Sequence, residues 1–125
     1  MPFSLKIFFS FKKSLKLFQL NHSDGLSSIN NLKQIISNQF LLHHQLDWLH
    51  FGFGTMALGK ENVAEAIGAR MAVSFRGFDI AIYPLKHPGC YNQLWRKAHR
   101  IHVISDDIAT LVIQNGGELV RSKCV

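Results

Sequence analysis

Cysteine is scarce in this sequence: Cys90 and Cys124 are the two in 125 residues, and their spacing is not that of a secreted scaffold. That excludes a disulfide framework and makes the reducing cytoplasm the expected location. Acidic side chains are few, 8 Asp and Glu against 14 Lys and Arg, which leaves a formal net charge of +6. No apolar run approaches the roughly 18 residues of a membrane-spanning helix, and Lys12, Lys13 and Lys16 interrupt the apolar centre a signal peptide over residues 1–20 would need. Charged residues make up 18% of the chain, a low share for a small free-standing domain and one that suits a piece of a larger assembly.

What is present is core-forming material: 47% hydrophobic residues, with 10 Phe. The length allows one domain and not two, and a real core requires most of the chain to take part. The positive balance favours an anionic partner, whether lipid headgroups, a phosphorylated substrate or nucleic acid. Nucleic acid is not expected, because the aromatics fall at core spacing and no basic recognition helix is visible.

Leu5, Phe8, Phe11, Leu15 and Phe18 recur at steps of three or four, which predicts a helix over residues 1–20 with lysines on much of the remainder. Such a helix either packs on its own domain or lies on a membrane surface or partner, since aromatics beside lysines suit an anionic interface. Residues 21–31, with Asp24-Gly25 and several Ser and Asn, read as a turn and linker. Leu32, Ile35, Ile36 and Phe40 restore helical spacing over 31–43.

From Asp47 the character changes. Short apolar strands are expected at 48–53, 71–75 and 101–104, separated by helices at 59–67 and 91–98 and followed by one from Asp106 to Ile113 capped by Ser105. Pro84 and Pro88 punctuate an irregular stretch, and Asn115-Gly116-Gly117 ends the pattern. Strands alternating with helical crossovers indicate an α/β fold, a Rossmann-like parallel sheet with flanking helices. The expected organisation is an amphipathic helix and linker (1–31), an α/β domain (32–117) and an irregular tail (118–125).

In such a sheet the ligand crevice lies just past the carboxyl ends of the strands. Three places qualify: Gly52 to Thr55, Arg76 to Asp79, and Ser105 to Asp107. In Arg76-Gly77-Phe78-Asp79 the arginine offers a fork of donors to phosphate or carboxylate, Gly77 lets a ligand approach the backbone, and Asp79 holds Arg76 or accepts from a sugar hydroxyl. The plainer alternative is a structural Arg-Asp pair. Gly52, Gly54 and Thr55 form an open small-residue loop that matches neither a P-loop nor a dinucleotide fingerprint. His50, inside a strand, is either a satisfied buried histidine or an acid-base group. His87, Cys90, His99 and His102 have paired metal-competent spacings, but their convergence would break the third strand, so no metal and no cofactor are expected.

Together, "DWLHFGFGTMALG", "AEAIGARMAVSFRGFDI" and "YPLKHPGCYNQLWRKAHRIHVISDDI", followed by "NGG", resemble the N-terminal domain of family-4-type glycosyltransferases, two-domain GT-B enzymes of bacterial polysaccharide synthesis. About sixty residues are covered, three motifs in the family's order and spacing. The resemblance implies transfer of a sugar from a nucleotide-sugar donor to a saccharide or lipid-linked acceptor. It places Arg76, Gly77 and Asp79 near the donor phosphates and the transferred sugar, and His50, Phe51 and Thr55 nearer the acceptor. The family's opening strand with its glycine-rich loop has no counterpart in residues 1–31, so the strand at Trp48 is expected to lie at an unpaired edge. The family's donor-binding domain is likewise without a counterpart here, and the implied chain is a truncated relative, inactive by itself, located in the cytoplasm or peripherally at the inner membrane face. A non-catalytic module that docks to a membrane or partner through residues 1–20 is the alternative.

Overall fold

The computed structural model describes the backbone of residues 3–125, and side chains from residue 11 onward. The chain divides into two compact units, residues 1–47 with 62–69, and residues 48–61 with 70–125. The expected boundary at residue 31 is therefore displaced to residue 47.

The first unit is all helical: α1 (Phe3–Ser23), α2 (Ser28–Ser37), α3 (Gln39–Leu42) and α4 (Val63–Ala66). α1 packs against the other three. The stretch 21–31 is not a linker. Helix α1 runs through Asn21, a four-residue turn follows with Gly25 at φ 88°, and Ser27 caps α2 by accepting from the Asn30 N–H at 3.4 Å. Asn21 and Asn31 are buried, and polar groups hold the unit together. Asn62 Nδ2 donates to Asn21 Oδ1 (2.9 Å) and to Asp24 Oδ2 (2.7 Å). Asn21 Nδ2 donates to Asn31 Oδ1 and Gln34 Oε1, both at 3.1 Å, and Asn31 Nδ2 donates to the Phe18 carbonyl at 2.9 Å. The expected apolar face of α1 packs only at one end: Phe18 is half-buried beside the buried Leu17, whereas Phe11 and Leu15 are exposed. Of that expected face, Leu5 and Phe8 lie outside the residues whose side chains are described.

The second unit is built on a parallel sheet in the order β1 (Trp48–Phe51), β2 (Arg70–Phe75), β3 (Arg100–Val103). Register pairs His50 with Ala72, Val73 with Ile101, and Ser74 with His102. All three strands point the same way, and β1 lies at the edge. After β1 comes a 3-10 turn (Gly54–Ala57), and α5 (Phe78–Ala81), α6 (Tyr83–Lys86) and α7 (Asn92–Lys97) connect β2 to β3. The stretch with the two prolines is irregular only in part: Pro84 sits in the first turn of α6, where its missing N–H has no helical acceptor to lose, whereas Pro88 lies in the turn between α6 and α7.

α8 (Asp106–Gly116) and α9 (Glu118–Arg121) complete the unit. Ser105 caps α8 through the Ile108 N–H at 3.2 Å. The last residues are not an irregular tail: Val120 is fully buried, and residues 123–125 run parallel to β3, with the Ile101 N–H bonded to the Lys123 carbonyl (2.8 Å) and the Val125 N–H to the Ile101 carbonyl (2.9 Å). This pairing covers an edge that would otherwise expose a row of unpaired amides.

Alternation along the strands sorts the sheet into two faces. Leu49, Phe51, Met71, Val73, Phe75 and Ile101 are buried on one, where Phe75 meets Tyr91 and Trp95, ring centroids 5.2 Å away in each case. Trp48, His50, Arg70, Arg100 and His102 are exposed on the other. Parallel sheets are usually covered on both faces; here the sheet has one dry face and one basic face.

Candidate functional site

The three stretches singled out by sequence do follow the carboxyl ends of the three parallel strands, but the structure brings only two of them together. Phe53, Thr55, Arg76, Gly77, Phe78 and Asp79 line an open cleft of about 290 Å³. That is near the lower limit of the roughly 300–1,000 Å³ of small-molecule sites. Ser105 caps α8 and does not line the cleft, Gly52 is half-buried beside it, and His50 projects from the basic face of the sheet.

Asp79 organises the site. It is buried at the start of α5, and its carboxylate accepts three backbone N–H groups: Gly54 on Oδ2 at 2.9 Å, and Gly77 and Arg76 on Oδ1 at 2.9 and 3.1 Å. The second residue of α5, four positions past β2, thus fastens the loop after β1. Through these three bonds Asp79 fixes the positions of both loops. Gly54 fits this junction because any Cβ would overlap the Phe75 ring. At Gly77 a Cβ would meet open space, so that position leaves the backbone accessible from the cleft.

Arg76 is held through its backbone N–H, and its exposed guanidinium lies over the Phe53 ring at 5.4 Å from the centroid. In place of the structural Arg76–Asp79 side-chain pair considered from sequence, Asp79 holds the Arg76 backbone and the guanidinium rests on Phe53 at the cleft. Phe53 and Phe78 are both exposed. The cleft therefore offers a permanently charged fork, two aromatic walls and the Thr55 hydroxyl. That combination suits a small polar ligand with an apolar ring face and an anionic substituent.

Behind Asp79, the Tyr91 hydroxyl donates to the Asp79 carbonyl at 2.6 Å. Burial, followed by the neighbouring Cys90, Asp79 and Tyr83, pushes the Tyr91 phenol well above its ordinary value. The folded state therefore prefers the neutral phenol. Its contribution is complete below the unfolded value of about 10 and is lost progressively as the pH rises beyond it. Tyr91→Phe should cost about 1 kcal/mol at neutral pH and should also flatten the fall in melting temperature on going above about pH 10. Thermal melts of both proteins over that range check it; parallel alkaline curves would show that another group is responsible.

His50 is neither buried nor at the cleft. Its Nε2 lies 2.7 Å from Ser74 Oγ, and Ser74 Oγ lies 3.2 Å from His102 Nδ1, so one residue from each strand forms a row across the basic face. Ser74, buried between two imidazoles, was not singled out by sequence; the signal was its shared parity with His50 and His102 once the strands are in register. The metal-spaced residues have separate roles. His99 Nδ1 accepts from the Met71 N–H at 3.0 Å, His87 stacks on Tyr83 at 4.3 Å, and burial pushes the Cys90 thiol up. Among the described residues no three His, Cys, Asp or Glu gather as metal ligands.

Comparison with protein-family models, with curated proteins and with solved structures finds no match to this chain.

Proposed function

We propose that this chain provides the acceptor-side wall of a glycosyltransferase site, in which a sugar passes from a nucleotide-sugar donor to a saccharide or lipid-linked acceptor. The observation that carries the reading is the cleft at the ends of two adjacent parallel strands, where Arg76 stands exposed beside Phe53 and Phe78. In this reading the aromatic walls take the apolar face of a sugar ring, and Arg76 supplies positive charge to a phosphate oxygen as the leaving group develops. The guanidinium stays protonated, so it is no proton acceptor. Asp79 presents the two loops to the ligand. A cleft of about 290 Å³ accommodates one sugar ring or one phosphate group. Transfer needs donor and acceptor held together, so catalysis calls for a facing wall that grips the rest of the donor.

Titration calorimetry of the chain with nucleoside diphosphate sugars, nucleoside diphosphates and oligosaccharides tests this reading. At least one of these classes should bind, Arg76→Ala should weaken anionic ligands at least tenfold, and Arg76→Lys should recover part of the loss. If no sugar or nucleotide binds, or if Arg76→Ala binds as tightly as the parent, the reading is wrong.

A further inference from the structure

Along α2 and α3 the helical unit turns two asparagines inward beside Leu42 and leaves four large apolar side chains outside. These two helices follow one another with a single intervening residue, Asn38. Their inward positions include Asn31 and Asn38, both buried. Ile29, Leu32 and Ile36 follow at steps of three and four, which places them along one side of α2, and Phe40 follows four positions later in α3. They are 71%, 56%, 65% and 59% exposed. Four large apolar side chains in a continuous stripe leave on the order of several hundred Å² of apolar surface in water, the size at which a patch marks a contact site. Lys33, also exposed, falls on the same side, four positions after Ile29 and three before Ile36.

We infer that the Ile29–Leu32–Ile36–Phe40 stripe docks on an anionic lipid bilayer. The charge pattern favours lipid over a second copy of the chain. Residues 1–43 contain Lys6, Lys12, Lys13, Lys16 and Lys33 against Asp24 alone. Of these Lys33 lies on the side of the stripe, and a self-complementary interface would bring it, within a unit of positive charge, against its own copy at an apolar contact. An anionic headgroup layer instead accepts Lys33 at its surface and attracts the positive charge of the unit while the apolar stripe enters the acyl boundary, which is how amphipathic helices lie on membranes. Among the described residues no helix is long and apolar enough to cross a bilayer, so the contact is peripheral. The inference differs from the docking expected of residues 1–20: it assigns the contact to α2 and α3, and it stands independently of the sugar-transfer reading.

The test is co-sedimentation of the full chain with vesicles of phosphatidylcholine alone and of phosphatidylcholine mixed with phosphatidylglycerol, with analytical ultracentrifugation in the absence of lipid. The parent chain should be a monomer that binds the mixed vesicles and binds neutral vesicles far more weakly. Ile36→Ser with Phe40→Ser should weaken binding to mixed vesicles at least tenfold, and Lys33→Gln about fivefold. The doubly substituted chain should melt close to the parent, because neither side chain is in the core. Titration of sugars and nucleotides into the cleft should be unaffected, which separates failure of this inference from failure of the functional reading. Three outcomes would overturn it: unchanged vesicle binding by the doubly substituted chain, loss of binding on Phe11→Ser with Leu15→Ser but not on α2–α3 substitution, or a dimer that the double substitution dissociates without any vesicle binding by the parent.

Discussion

Asp79→Ala should destabilise the strand-bearing unit by about 3–5 kcal/mol, on the order of 10–20 °C in melting temperature, the largest effect expected of any single substitution at the cleft. The reason lies in what the side chain bonds. Its carboxylate accepts from Gly54, Arg76 and Gly77, and alanine removes all three acceptors while leaving the amides in place. An unsatisfied buried donor loses its solvation without compensation, whereas an exposed amide turns to water. Gly54 is the most enclosed of the three, since its backbone sits against Phe75, and it should contribute most. Asp79→Asn should fall between the two: one carbonyl oxygen can still accept, but the amide nitrogen that replaces the other oxygen sets donor against donor. Urea denaturation of the three proteins measures the order, and amide exchange locates it. Faster exchange at Gly54 and Gly77 with little change on β1 would identify the two loops as the part released. A fully cooperative Asp79→Ala protein within about 2 °C of the parent would mean that the carboxylate does not fasten the loops.

Asn21→Leu should cost the helical unit about 2–4 kcal/mol, an unusual outcome for replacing a polar residue with a more hydrophobic one. Asn21 is the hub of a buried network: it receives from Asn62 and donates to Asn31 and Gln34. Leucine is close to the same size, so the cost arises from partners left without a bond and not from lost packing. Asn30→Leu provides the comparison. Asn30 is exposed on α2, its backbone N–H alone meets Ser27, and its substitution should change stability by less than about 0.5 kcal/mol. Melting curves of the two variants decide the matter. Equal, small effects would show that the asparagine network contributes nothing; a large Asn21 effect beside a small Asn30 effect would show that burial of the amide is what counts.

A neighbouring pair of asparagines also marks where reading the sequence stops. Asn30 and Asn31 are adjacent, chemically identical and sit in a stretch rich in Ser, Asn and Gly that local chemistry assigns to a turn. One is exposed and the other fully buried. The difference arises from Asn21 and Asn62, one ten residues before Asn31 and the other thirty-one after it, and no local rule reaches that far. Helix α1 makes the same point. The spacing of Phe11, Leu15 and Phe18 correctly indicated a helix and left open whether that face packs inward; Leu17 and Asn21 are buried, Phe18 is half-buried, and Phe11 and Leu15 are exposed.

The cleft divides in the same way. That Gly54, Arg76 and Ser105 follow the ends of strands was legible, since alternation of short apolar runs with helices sets strand order and direction. The capping of α8 by Ser105 was legible too, as a hydroxyl beside the first free amides of a helix. That Asp79 bonds Gly54, twenty-five residues earlier, and that His50 meets Ser74 and not the cleft, was not.

By itself the sequence determined the alternation of strands and helices, the parallel direction of the sheet, the serine cap of α8 and the glycine-bearing loops at the strand ends, all of which follow from steric and hydrogen-bonding preferences acting within a few residues. Only the tertiary structure decided which face of each helix and strand is turned inward, which asparagines are buried, and that Asp79 serves the loops as an acceptor. Periodicity shows that an element has two faces; which of them is dry depends on partners contributed by distant parts of the chain.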